Sequence, residues 1–351
     1  MRLFRLPERI TLGTIVLTLL ALAIAAVVII GSYLTISQGR YSLEVWESFI
    51  VAGIALGAVY ALIAIGYTLV YGILFMINFA HGEVFMSGAF TAVFAAQALA
   101  DEGLVESNPV LSFAIVLLVS MVVSMIVAIL LERIAYRPLR GAPRLVPLIT
   151  AIGASLVLQY TFRGLYGAGI KAYPTWSMFQ GEWDVFGIAV PVARGVVTIA
   201  AVLLMLGLWL FVERTRTGRA MRAVSENKDV AAMMGINVDR IIVITFAIGG
   251  VLAGAAGILY TLIFNQVNYT MGFLPGIKAF TAAVLGGIGN IVGAMLGGLA
   301  LGLLEGVAPF LILTGFGVPS PNQLKDVIAF SVLVLVLIFR PTGFLGRKEN
   351  V

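Results

Sequence analysis

His81 is the only histidine of the chain, and it stands with Asn78 and Glu83 in the short polar run Asn78-Phe79-Ala80-His81-Gly82-Glu83, between two long apolar stretches. In surroundings that apolar, a polar side chain must be paired, cap a helix or handle a solute, because leaving it alone is costly. A second break lies in the other half of the chain, from Gly272 through Lys278, Thr281 and Gly286 to Asn290. Paired interruptions in two halves of a membrane protein point to a solute pathway where two repeats meet. Asn78, His81, Glu83, Lys278, Thr281 and Asn290 are therefore the candidate pathway and gate residues. Catalysis and metal binding find no footing. With one histidine, no cysteine and no His-Glu-x-x-His, thiol chemistry, disulfides and that class of zinc site are excluded.

The first break has a definite chemistry. Asn78 is expected to cap a helix that begins near His81, its side-chain oxygen accepting from an otherwise unpaired backbone N–H. Glu83 then falls in the first turn, where the positive end of the helix dipole favours a carboxylate. The same helix start can receive the carboxylate of a passing solute. Glu83 and that solute repel unless a cation lies between them, either protonated His81 or the ammonium of an amino acid. Three roles stay open: the trio satisfying one another at a cytoplasmic helix bend, a gate, or direct contact with solute. For Lys278, a few residues past Pro275, insertion scales put an ammonium at the bilayer centre at about 2.5–3.5 kcal/mol. Snorkelling of its stem to the interface is the expected solution in preference to lining a pore. Glu305 shares a small-residue face with Gly297, Gly298, Gly302 and Gly306, and helix pairing is its expected role.

The elements that must hold these residues follow from composition. Of 351 residues 61% are hydrophobic and 11% charged, with a mean hydropathy of +1.07, which no soluble core of this length could absorb. The 39 glycines scattered through continuous apolar runs let helices approach closely, which favours a helical bundle over a barrel. The expected fold class is all-α, a polytopic membrane protein with broken helices. Spans are expected near 11–31, 49–76, 82–100, 110–131, 148–167, 195–212, 241–264, 291–313 and 325–340. The glycine-broken stretch 276–290 either crosses, in full or as a half-helix meeting another half, or dips in and returns, which would put the C-terminus outside; the basic residues flanking the last span favour the crossing, which gives about ten.

A net charge of +5 could suggest an acidic partner such as nucleic acid. The basic residues cluster instead in four zones: Arg2, Arg5 and Arg9; Arg133, Arg137, Arg140 and Arg144; Arg214, Arg216, Arg219, Arg222, Lys228 and Arg240; and Arg340, Arg347 and Lys348. The positive-inside rule puts all four, and both termini, on the cytoplasmic face, with 101–106 and 169–194 opposite and Trp176 and Trp183 at the interface. The first span, with three arginines before it and Ala-x-Ala triplets at 21–23 and 23–25, is longer than a secretion-signal core and is read as a retained anchor.

The basic stretch 213–240 is the other informative feature. Ser225, with Asp229 nearby, is expected to start a short helix that Gly235 ends. Val230, Ala231, Met233 and Met234 would give it a face able to dock on a soluble partner. Attraction to anionic lipid would account for the arginines but not for that apolar face.

At these residues the chain resembles the permease subunits of branched-chain amino acid ABC importers of the LivH type. The matching stretches are Gly66-Tyr-Thr-Leu-Val-Tyr-Gly72 with Ile77-Asn-Phe-Ala-His-Gly-Glu83, Glu132-Arg-Ile-Ala-Tyr-Arg-Pro-Leu139, Ala231-Ala-Met-Met-Gly-Ile-Asn237, Lys278-Ala-Phe-Thr-Ala-Ala-Val-Leu-Gly-Gly-Ile-Gly289 and Pro341-Thr-Gly343. The resemblance covers 45–347, so the chain divides into an extension over 1–44 with an additional anchor helix and a permease domain over 45–347. It implies a multi-pass protein of the bacterial cytoplasmic (inner) membrane with a homologous second permease of the LivM type, two cytoplasmic ABC ATPase subunits, and a periplasmic or lipid-anchored solute-binding protein. It also implies that residues 226–235, with Glu226, Asp229, Met233, Met234 and Gly235, seat on the ATPase. No cofactor is expected on this chain: ATP and Mg belong to the partner subunits, and the sequence has no Gly-x4-Gly-Lys-Ser/Thr phosphate loop of its own. Leucine, isoleucine and valine are the solutes implied, with urea, short amides or aromatic acids carried by related systems. An ion-coupled transporter is the rival. It would need titratable groups within the spans, where the sequence reading finds only Glu83, Glu305 and the edge histidine. An intramembrane enzyme finds no catalytic pair.

Overall fold

The computed structural model describes residues 12–143, 145–340 and 342–346, so Arg2, Arg5, Arg9, Arg144, Pro341, Arg347 and Lys348 lie outside the described residues. Apolar runs without water to serve their backbones have one solution, the helix, and thirteen α-helices result among the described residues. They are α1 Leu12–Ser37, α2 Leu43–Leu74, α3 His81–Asp101, the single turn α4 Leu104–Ser107, α5 Pro109–Leu131, α6 Leu145–Tyr166, α7 Val192–Arg214, α8 Arg216–Glu226, α9 Lys228–Met233, α10 Val238–Phe264, α11 Phe273–Gly286, α12 Ile291–Ala308 and α13 Lys325–Phe339. Among the described residues nine helical stretches are long and apolar enough to cross a bilayer. The chain is a polytopic helical membrane protein. The strands are minor: β1 Lys171–Ala172 pairs with β4 Gln266–Val267, and β2 Glu182–Val185 with β3 Ile188–Pro191, both antiparallel.

The order of elements repeats. In the first half α2 ends on Phe75 in the left-handed conformation (φ 57), residues 75–80 break the helix, and α3 and α5 follow. A π-turn Glu132–Tyr136 and a 3-10 turn Arg137–Leu139 then lead to α6. In the second half α10 ends on Asn265 in the same conformation (φ 53), residues 265–272 break the helix, and α11 and α12 follow. A π-turn Pro309–Leu313 and a 3-10 turn Thr314–Phe316 come next, before α13. The two αL caps make the same bond, Phe75 N–H to Tyr71 O at 2.8 Å and Asn265 N–H to Thr261 O at 2.7 Å.

The repeats are inverted. α2 starts at the end of the bundle where β2 and β3 lie and finishes at the arginine-rich end, where Lys228 sits 5.8 Å from the Phe75 ring. α10 starts beside α9 at that arginine-rich end and finishes at β4. The weak sequence likeness of the halves thus conceals a plain structural one.

Packing uses the glycines. α12 lies along α2 with Gly298, Gly302 and Gly306 against Ala61, Gly57 and Gly53; a Cβ on Gly53 would stand 2.9 Å from the Gly302 carbonyl. α5 lies along α10 in the corresponding place, where Ser120 Oγ donates to Gly254 O at 2.7 Å. With no hydrophobic drive between helices in lipid, backbone approach of this kind supplies the van der Waals contact. α2, α3 and α10 form the buried centre, while α1 and α13 flank it. α1 seats Gly31 against Ile312 and Phe316, and Tyr41 Oη lies 3.1 Å from Thr314 Oγ1.

Most expected spans fall within a few residues of the helices, but 276–290 does not form a full crossing helix. α11 has 14 residues and rises about 21 Å against a hydrocarbon layer of about 30 Å. Trp176, expected at the interface, is instead 5% exposed and packs on Phe113 at 5.6 Å.

Candidate functional site

Both breaks re-enter the bundle and meet. α3 begins not at the end of α2 but beside Gly66, eight residues (about 12 Å) before that end. α11 begins at the same place: a Cβ on Gly276 would stand 2.9 Å from Gly82 Cα, and one on Gly82 would stand 3.0 Å from Gly276 Cα. Two helix N-termini, that of the 21-residue α3 and that of the 14-residue α11, are thus pressed backbone to backbone inside the bundle.

Glu83 sits in the first turn of α3 at this junction, as the helix dipole favours. It is 1% exposed, and its Oε1 accepts from Gln159 Nε2 at 2.7 Å and Ser155 Oγ at 3.2 Å, both on α6. Oε2 has no hydrogen-bond partner among the described residues and lies against Gly272. Sequence reasoning missed Ser155 and Gln159. Their signal was present: with Pro147, Ala151 and Phe162 they form the buried stripe of an otherwise lipid-like helix.

His81 and Glu83 do not satisfy each other. The imidazole fills a slot between Gly66 and Gly249, edge-on to Tyr67 at 5.0 Å between centroids, and its Nε2 has no partner among the described residues. Asn78 does not cap α3 either. Ala80 is the N-cap, and the Asn78 side chain is turned away to accept from Tyr136 Oη at 2.8 Å. The cap is lost because residues 75–80 climb back into the bundle, which points Asn78 at the π-turn after α5.

Lys278 does not snorkel. It is 4% exposed, with Nζ 2.7 Å from Glu305 Oε1, 2.5 Å from Asp326 Oδ1 and 5.8 Å from the Tyr60 ring centroid; Lys325 Nζ stands 3.6 Å from Glu305. The expectation failed because Pro275 marks the start of a half-helix deep in the bundle, not an interface. Asp326 was overlooked at the edge of the last expected span, so the carboxylates within the spans are more than Glu83 and Glu305. Glu305 faces the lysine, while the glycines beside it pair the helices as expected. Thr281 is fully buried and gives its hydroxyl to Ile277 O at 2.9 Å. Asn290 caps α12 through Gly293 N–H at 3.0 Å and donates to Leu345 O at 3.0 Å, near the end of the described chain.

The arginine-rich end carries α9. Asn227, not Ser225, caps it, accepting from Asp229 and Val230 N–H at 3.0 Å each. Ser225 donates back to Arg222 O within α8, whose last residue is Glu226. Gly235 closes α9 with φ 83, as expected. Ala231 is buried, whereas Val230, Met233 and Met234 are 48%, 79% and 78% exposed. From Arg140, whose charge is felt at Lys228 of α9, a line of polar contacts leads inward. The Lys228 pKa is lowered by burial and then by the charge of Arg140. Arg140 pairs with the fully buried Glu132 and with Asp239, which Arg137 also holds at 2.9 Å. Glu132 opens the π-turn that ends in Tyr136, and Tyr136 holds Asn78.

Residues 49–337 match the family described as branched-chain amino acid transport system / permease component. The chain is 47% identical over 303 residues to the high-affinity branched-chain amino acid transport system permease protein BraD of Pseudomonas aeruginosa, covering 86% of this chain and 95% of that one. It is 43% identical over 302 residues to the corresponding LivH protein of Escherichia coli, covering 85% and 94%. A ribose import permease protein, RbsC of Escherichia coli, is 31% identical over 206 residues, 54% of this chain and 60% of that one.

Proposed function

Because this chain belongs to the permease-component family of branched-chain amino acid transport systems, we propose that it forms the translocation pathway for leucine, isoleucine and valine in an ATP-driven importer of the bacterial cytoplasmic membrane. The observation that carries this reading is the meeting of the two helix starts, of α3 and α11, around Glu83. A junction held by glycine backbone contacts and a few hydrogen bonds can separate without unfolding any helix, and two arrangements of one packed junction are what alternating access requires. Asn78, His81 and Glu83 belong to this gate. Lys278, Thr281 and Asn290 support the helices that close it.

The energy enters at α9. Val230, Met233 and Met234 form an exposed apolar patch on a rigid capped turn, suited to the cleft of an ATPase subunit, with Asp229 and Glu226 at its start and Gly235 fixing its end. Two such ATPases, a second permease of the LivM type and a solute-binding protein complete the assembly, with ATP and Mg bound by the ATPases alone. The arginine-rich end and both termini then face the cytoplasm.

Reconstitution tests the proposal. Leucine uptake into proteoliposomes should need the binding protein outside together with ATP and the ATPase inside, and Met233→Asp/Met234→Asp should leave ATP hydrolysis while removing uptake. Uptake driven by a proton gradient without the ATPase would instead establish the ion-coupled rival. Ser225→Cys should react with an impermeant thiol reagent from the cytoplasmic side only.

A further inference from the structure

We propose that Glu83 and the cavity between α6 and α11 form a transit subsite for the zwitterion of an aliphatic amino acid, a refinement that rests on the transport reading above. The cavity has a volume of about 250 Å³ and is lined by Phe79, Ile152, Ser155, Leu156, Phe273 and Ile277. At ~30 Å³ per water it holds about eight water-sized groups. That is close to the heavy-atom count of valine or leucine. Five of its six lining residues are apolar, and the sixth, Ser155, donates to Glu83. The cavity therefore has an aliphatic body with one polar end, Ser155, and the buried carboxylate lies directly behind that hydroxyl.

Glu83 is prepared for a cation on one side only. Gln159 and Ser155 occupy Oε1, while Oε2 has no partner and is directed at Gly272, the N-cap of α11. A buried carboxylate with one oxygen held and the other empty is incomplete, because hydrogen-bonding capacity left unused away from water costs free energy. An ammonium placed at Oε2 would complete it. At the start of α11, Phe273 N–H bonds Thr270 O at 3.1 Å, Gly276 N–H bonds Gly272 O at 2.9 Å and Pro275 has no N–H, which leaves the Leu274 N–H, two residues past Gly272, to receive negative charge. Glu83 Oε2 and the start of α11 thus adjoin one another. A molecule with an ammonium, a carboxylate and a branched alkyl chain matches all three features; a carboxylic acid without the ammonium meets Glu83 as a like charge. Ile152, Leu156 and Phe273 are each about half exposed, so the cavity opens on the flank of the bundle between α6 and α11, where a second permease would enclose the route.

The absence of cysteine from the chain makes the test direct. In the complete transporter, with Ile152→Cys as its single cysteine, leucine near saturation should slow maleimide labelling about tenfold, as occupancy of one site requires. 4-Methylpentanoate, the same skeleton without the ammonium, should not protect, and Glu83→Gln should abolish protection by leucine. If Ile152→Cys does not assemble, Leu156→Cys, one turn further along α6, serves. Labelling indifferent to leucine, equal protection by 4-methylpentanoate, or protection that survives Glu83→Gln would each overturn the subsite. Uptake by wild-type proteoliposomes separates the two levels: leucine accumulation without protection removes the subsite alone, whereas no accumulation of any aliphatic amino acid removes the transport reading itself.

Discussion

The starts of α3 and α11 are the same backbone device placed twice, yet they carry opposite electrostatic solutions. At α3 the charge is a lone carboxylate, Glu83, held by neutral donors on one oxygen and unpartnered on the other among the described residues. At α11 the charge is Lys278, neutralised by Glu305 and Asp326 and backed by Lys325, which leaves two positive and two negative charges in one cluster. The difference assigns labour between the repeats. A charge-balanced ion cluster ties α11, α12 and α13 together and resists rearrangement. A half-satisfied carboxylate leaves α3 and α6 joined by two hydrogen bonds that a ligand can replace.

The comparison is broken most severely at the cluster. Lys278→Met leaves the buried Glu305 with only Lys325, 3.6 Å away, and removal of one member of a buried ion pair costs about 3–5 kcal/mol. The thermal midpoint of the detergent-solubilised protein should fall sharply, and Lys278→Met/Glu305→Leu should recover most of the loss. A single variant as stable as the wild type would mean that the cluster is not a fastener.

Next in size is the junction. Gly276→Ala puts a methyl 2.9 Å from Gly82 Cα, backbone against backbone, with no flexible side chain to yield. Overpacking of this kind costs about 1–3 kcal/mol, and here it should also hold the starts of α3 and α11 apart and reduce uptake. The control is Gly153→Ala on α6, where the new methyl meets nothing within 4 Å and helix propensity favours alanine by about 0.5–1 kcal/mol. Equal behaviour of the two alanines would show that close approach at the junction is unimportant.

What the sequence disclosed follows the same division. Long apolar runs and glycine faces declare themselves, because periodicity and composition are local properties; hence the spans, the paired breaks and the closure of α9 at Gly235 could be read directly. The partners of the polar residues could not. Asn78 reads locally as a cap but bonds Tyr136, 58 positions away, and Glu83 reads as a neighbour of His81 but bonds Gln159, 76 positions away. Such pairings are fixed by how the re-entrant segments sit in the bundle, and nothing in the local pattern encodes that depth. Lys278 failed for this reason too: five residues into a helix means the interface for a full span and the interior for a half-span.

The smallest expected effect is the sharpest on mechanism. Tyr136 Oη to Asn78 Oδ1 is the one side-chain hydrogen bond among the described residues that joins the π-turn after α5 to the α2–α3 break. Tyr136→Phe keeps the ring packed on Phe246 and removes only the hydroxyl, a stability change of about 1 kcal/mol. If α9 moves the gate through Arg140, Glu132 and the π-turn, this variant should hydrolyse ATP at near the normal rate while importing less solute per ATP. Asn78→Ala breaks the same link from the other side, so the double variant should be no worse than either single one. Additive losses of coupling would mean that each residue acts alone. The first repeat would then be moved by some route other than the turn it shares, in form, with the second.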